Sequence, residues 1–145
     1  MAIAQAVCNS FKKEILEGIH DLESGGDQFK LALYEDTANL SAATTAYPGD
    51  STGGQVSDTG QYAQGGGVLT SQQTSLDTGV AIVDFADLSF TGVTLTARGA
   101  LIYNTSNSNT GVAVLDFGSD KTATAGTFTI QFPAYTTSAA ILRIS

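Results

Sequence analysis

Tryptophan is absent from the 145 residues, and cysteine, histidine and methionine occur once each. With Cys8 as the sole thiol, no intrachain disulfide can form, so a disulfide-stapled scaffold is excluded. One histidine and one cysteine are too few for a zinc site built from those ligands. Basic residues number six against fourteen acidic ones, giving a net charge of −8. The six (Lys12, Lys13, Lys30, Arg98, Lys121 and Arg143) are scattered. Phosphate backbones and anionic lipid surfaces are held by clustered cations, so neither nucleic acid nor membrane is an expected partner. No apolar run is long enough to span a bilayer. No basic stretch followed by an apolar run opens the chain, which reads as a soluble protein made in the cytoplasm.

What remains is an apolar fraction of 42% with only 14% charged residues, enough for one packed domain over 1–145. Sixteen glycines, two prolines and abundant Thr and Ser suit strands and tight turns. Ile3, Val7, Phe11 and Ile15 recur every four residues and predict one N-terminal helix over 2–19, with Gly18 and Gly25-Gly26 stopping it. Cys8 falls on its apolar side and reads as a buried, inert thiol. Phe29, Leu31 and Leu33 alternate with Lys30, Ala32 and Tyr34, which predicts a strand over 27–35. Residues 36–66 carry Gly and small polar residues and read as a long loop, either a functional one or a plain surface connection.

From 68 to 144 the chain is strand-like. Candidate strands are 68–71, 80–85, 88–90, 93–103, 112–117, 127–132 and 140–144, with turns at 104–111 and 120–126. Gly99 reads as a bulge or bend. One helix leaves no βαβ crossovers, so the sheets are expected to be antiparallel. The fold class is mainly β: an antiparallel β-sandwich of jelly-roll type with one N-terminal α-helix, an up-and-down barrel being the alternative.

No catalytic constellation is visible, and no cofactor or metal is expected. His20 has no second His or Cys at ligand spacing and reads as a solvated surface residue. Gly65-Gly66-Gly67 is followed by Val68-Leu69-Thr70 without the lysine of a phosphate-binding loop. Asp84 with Asp87, and Asp116 with Asp120, could pair as glycosidase carboxylates, but Asp at strand ends usually caps turns. Asp50 and Asp58 could offer oxygens to calcium, without EF-hand spacing. Tyr47 and Tyr62 lie in the same loop, where aromatic rings can stack on sugars. Tyr47, Asp50, Asp58 and Tyr62 are therefore the candidate partner contacts. The chain reads as a binding or structural surface and not as an enzyme.

Several stretches are distinctive as strings. They include Ala2-Ile3-Ala4-Gln5-Ala6-Val7-Cys8-Asn9-Ser10-Phe11-Lys12 and Phe29-Lys30-Leu31-Ala32-Leu33-Tyr34. Thr96-Ala97-Arg98-Gly99-Ala100-Leu101-Ile102-Tyr103-Asn104, Val112-Ala113-Val114-Leu115-Asp116-Phe117-Gly118 and Phe128-Thr129-Ile130-Gln131-Phe132-Pro133 complete the set. Through them the chain resembles small virion structural proteins of tailed bacteriophages, of the capsid cement or head decoration kind. The resemblance implies a β-sandwich on the outer capsid surface that bridges subunits of the major capsid protein, as a homodimer or homotrimer. Neck and tail proteins of similar build, and a carbohydrate- or cell-surface-binding module, are the alternatives.

Overall fold

A computed structural model describes residues 2–48 and 53–145. Among them the elements are β1 (Ala6–Val7), α1 (Asn9–Leu16), β2 (Phe29–Tyr34), β3 (Gly67–Val68) and β4 (Gln73–Asp77). Then follow β5 (Val80–Asp84), β6 (Leu88–Asn104), β7 (Thr110–Ile130) and β8 (Leu142–Ile144). They form a five-stranded sheet in the order β1-β7-β6-β2-β3 and a three-stranded sheet in the order β4-β5-β8. Every strand pairing is antiparallel, as expected for a mainly β chain with one short helix.

The β6–β7 hairpin is the spine. Its turn carries Ser108 and Asn109 at φ 55° and 58°, a conformation that short polar residues tolerate. Along the first half of β6, Phe90, Val93, Leu95 and Ala97 point inward while Ser89, Thr91, Thr94 and Thr96 face water. From Ala100 to Asn104 every residue is buried, because β2 and β7 flank the strand and both faces are covered. The register slips between Ala97 and Gly99. A Cβ at Gly99 would lie 2.4 Å from the Leu115 carbonyl oxygen and 2.9 Å from Ile3 Cγ2, so the expected bulge needs its glycine. An aromatic relay links the sheets: Phe29 meets Phe85 at 5.9 Å, and Phe85 meets Phe132 at 5.7 Å. Fully burying each such ring contributes about 2 kcal/mol.

Four sequence readings are corrected. The helix expected over 2–19 occupies only Asn9–Leu16. Ahead of it, Ala6 and Val7 pair with Val114 and Ala113, and Ala4 N–H donates to the Leu40 carbonyl. A four-residue spacing satisfies the strand period as well as the helix period, so Ile3 and Val7 keep an inner face without a helix. The helix stops where Ile19 N–H bonds the Glu14 carbonyl and Gly18 N–H bonds that of Ile15, with Gly18 at φ +74°. Second, residues 120–126 are not a turn but part of β7, whose threonines favour extended backbone. Third, 88–90 and 93–103 are one strand. Fourth, Gln73–Asp77 is a strand, β4, although all five of its residues are exposed and show no apolar alternation. The loop at 36–66 holds only isolated bridges among its described residues, and the strand at 27–35 is present as β2.

Candidate functional site

The long loop is stapled to the sheet by tyrosines. Tyr62 is buried, and its hydroxyl accepts the Leu33 N–H at 2.8 Å. The Tyr103 hydroxyl donates to the Gly65 carbonyl at 2.5 Å. Tyr47 is half-buried, stacks on Tyr103 at 4.4 Å and donates to Gln55 Oε1. Tyr62 is thus withdrawn from the surface, which corrects its place among the partner contacts. Its ring packs edge-on against Phe90, and no face is left for a sugar. Asp58 is exposed, and its Oδ1 accepts the Gln64 N–H at 2.8 Å, which shapes the loop. Asp50 lies outside the described residues.

Burial raises the pKa of Tyr62 and of Tyr103, the latter pushed further by neighbouring Tyr47, Tyr34 and Tyr62. Both folded values exceed the ordinary 10.0 of an unfolded tyrosine. Their stabilisation is therefore complete below pH 10.0 and is lost as pH climbs through the folded values. In an alkaline titration these two phenolates are expected to form only together with unfolding. Reversible ionisation of all five tyrosines with the near-ultraviolet circular dichroism intact would contradict this burial.

His20, expected on the surface, is instead buried. Its Nδ1 faces Asn104 Nδ2 at 2.9 Å, and its Nε2 faces Glu14 Oε2 at 2.6 Å. Asn104 Oδ1 already accepts the Ser106 N–H, so the amide must donate to Nδ1 and the imidazole proton must sit on Nε2. Both ring nitrogens are engaged inside the fold. Asp27 Oδ2 completes the hub, accepting from Asn104 Nδ2, Asn107 Nδ2 and the Asp21 N–H. The hub ties helix α1, the segment leading into β2 and the hairpin turn together across 84 residues of sequence, which no local pattern announces.

One carboxylate of each pair is used structurally. Asp116 Oδ1 accepts the Gly118 N–H at 2.9 Å and Arg98 Nε at 3.2 Å. The Gly118 amide chiefly, with Arg98 adding, holds the Asp116 carboxyl below its usual range. Asp87 Oδ1 caps the Phe132 N–H. Among the described residues no three His, Cys, Asp or Glu side chains stand together as a metal-ion site.

A cleft of about 650 Å³ opens between α1 and the three-stranded sheet. Register sets Thr74, Val83 and Leu142 in one cross-strand row, and Leu76, Ala81 and Ile144 in the next row on the same face. The first row closes on the core through Val83 and Leu142. The second is left open, with Leu76 74% and Ile144 58% exposed. Across the cleft stands Leu16 at the end of α1, 88% exposed. Lys12, Asp21, Glu23 and Arg143 form the charged part of its lining. The sheet and helix diverge here, so an apolar wall on each side meets solvent. No protein-family model, curated protein or solved structure matches the chain. The cleft's function is therefore read from its own chemistry. It offers apolar area and a mixed-charge rim, which suit a polypeptide surface.

Proposed function

We propose that this protein is a non-catalytic structural component of a tailed-bacteriophage particle, of the capsid decoration kind. It docks on the outer shell and stabilises it by bridging major capsid protein subunits. The virion assignment rests on the sequence resemblance. The open cleft carries the docking reading, since contiguous exposed apolar area on a soluble domain marks an interaction surface. The engagement of both His20 nitrogens and of Asp116 within the fold supports a non-catalytic role. Binding only the assembled state stabilises that state by linkage, and symmetric copies reinforce one another.

The test is co-sedimentation of the protein with assembled shells stripped of it, and with free shell subunits. Wild type is expected to bind shells and not free subunits, as a dimer or trimer by light scattering. Leu16→Asp and Ile144→Asp replace exposed side chains and should change stability by less than about 0.5 kcal/mol. Each is expected to weaken shell binding about tenfold or more. Equal binding to shells and free subunits, or full binding by both variants, would count against the reading.

A further inference from the structure

Segment 133–145 leaves β7 in one sheet and runs to β5 in the other, where it forms β8. It walls two concavities on the way. Pro133 and Ile141 line a groove of about 480 Å³ beside β7, together with Phe128 and Phe132. Leu142, Arg143 and Ile144 line the cleft against α1.

The segment's attachments to the rest of the fold are few. At the near end, Phe132 N–H donates to Asp87 Oδ1 at 2.9 Å, and the Phe132 ring meets Phe85 at 5.7 Å. At the far end, β8 pairs with β5 through three residues, Leu142–Ile144, and has no second strand neighbour among the described residues. Between these anchors the main-chain bonds turn inward. Thr136 N–H donates to the Ala134 carbonyl, and the N–H groups of Ala139 and Ala140 both donate to that of Thr136. Arg143, the segment's one charged residue, donates from Nη1 to the Thr137 carbonyl at 3.2 Å. Within the segment only Ala140 and Leu142 are buried, and Ala140 lies outside the main core.

Tyr135 works against closure. Its hydroxyl is buried and has no hydrogen-bond partner among the described residues. A buried donor left unpaired carries its full desolvation cost, which opening relieves. By contrast, β2 is laddered to β6 over Phe29–Tyr34, and all of those residues but Lys30 are buried. An element with few external bonds and little buried area opens at lower free energy than such a core.

We infer that 133–145 is a strap that detaches from β5 as one unit, short of global unfolding, and that its closure builds the cleft. Phe132, held by Asp87 and Phe85, is the fixed end. Opening carries Leu142 and Ile144 away and uncovers the β5 edge at 81–83. A partner seated against β8 therefore binds only the closed form, and its affinity scales with the closed fraction. Detachment stands apart from the docking reading, while its effect on shell binding rests on it.

The test is native-state amide hydrogen exchange on the full chain, followed by NMR in rising, sub-denaturing urea. The amides at 139–140 and 142–144 are expected to share one opening. Its urea slope should lie below that of residues 101–103, with exchange faster on the order of a hundredfold. Tyr135→Phe should slow the strap amides about fivefold. Asn104→Ala damages a hub that stays formed when the strap opens. It should speed exchange at 101–103 and leave the strap within about twofold. Four results would overturn the inference: no protection over 139–144, a single slope shared with 101–103, different slopes at 139–140 and 142–144, or faster strap exchange in Tyr135→Phe. None of these readouts involves the shell, so failure here is distinct from failure of the docking role.

Discussion

Gly66→Ala is expected to lower the unfolding free energy by about 4 kcal/mol, among the largest effects of any single methyl in this chain. Gly66 sits at φ +80°, where an L side chain is strained. Its added Cβ would fall 1.7 Å from the Leu31 carbonyl oxygen and 2.8 Å from Ala32 Cα. Those are main-chain atoms of strand β2, held by the ladder to β6, so they cannot move aside cheaply. The change should also free the loop end that Tyr103 clamps through Gly65. Gly79→Ala is the control. It has φ +86° but no atom within 4 Å of the added Cβ, so it should cost only about 1 kcal/mol of backbone strain. Urea denaturation of both variants with unchanged slopes checks the pair. Equal costs would mean that Gly66 makes no close approach.

Asn104→Ala is expected to cost about 3 kcal/mol, because it leaves buried polar partners behind. Asn104 is fully buried and serves three groups at once: His20 Nδ1, Asp27 Oδ2 and the Ser106 N–H. Its removal leaves the His20 nitrogen without a donor in a place water does not reach. For a chain of this length the melting temperature should fall by roughly 10 °C. A loss below about 1 kcal/mol would show that the hub contributes little beyond packing. In that case helix α1 and the cleft it borders would need another anchor.

The inner layer of this fold was legible because its residues obey a period. Phe29-Lys30-Leu31 and Val93–Ala97 alternate, and the structure buries those faces. Gly99 was readable as a bulge, since only a missing side chain explains glycine inside such a strand. The segment at 2–7 misled because Ile3 and Val7 fit both periods, and the absence of a capping oxygen at Cys8 offered no correction. β4 was hidden by its exposure, although Thr78 and Gly79, at φ 47° and 86°, form a two-residue hairpin turn with a visible signal. The site was harder. His20 and Asn104 meet only through the tertiary fold. The cleft depends on where α1 ends: the helix stops at Leu16, next to Ile15 of the expected apolar stripe, and leaves Leu16 in solvent. Tyr62 looked like a loop-tip aromatic, but its hydroxyl found the Leu33 amide and drew the ring inside.

The most direct test of the docking role is the copy number of this protein relative to the major shell protein. It is measured by quantitative mass spectrometry on purified particles of a phage whose genome encodes the chain. A ratio of the same order as the shell protein is the expected result and means a shell-wide decoration role. A handful of copies per particle, or none, would contradict it and move the protein to the neck or tail, or out of the particle.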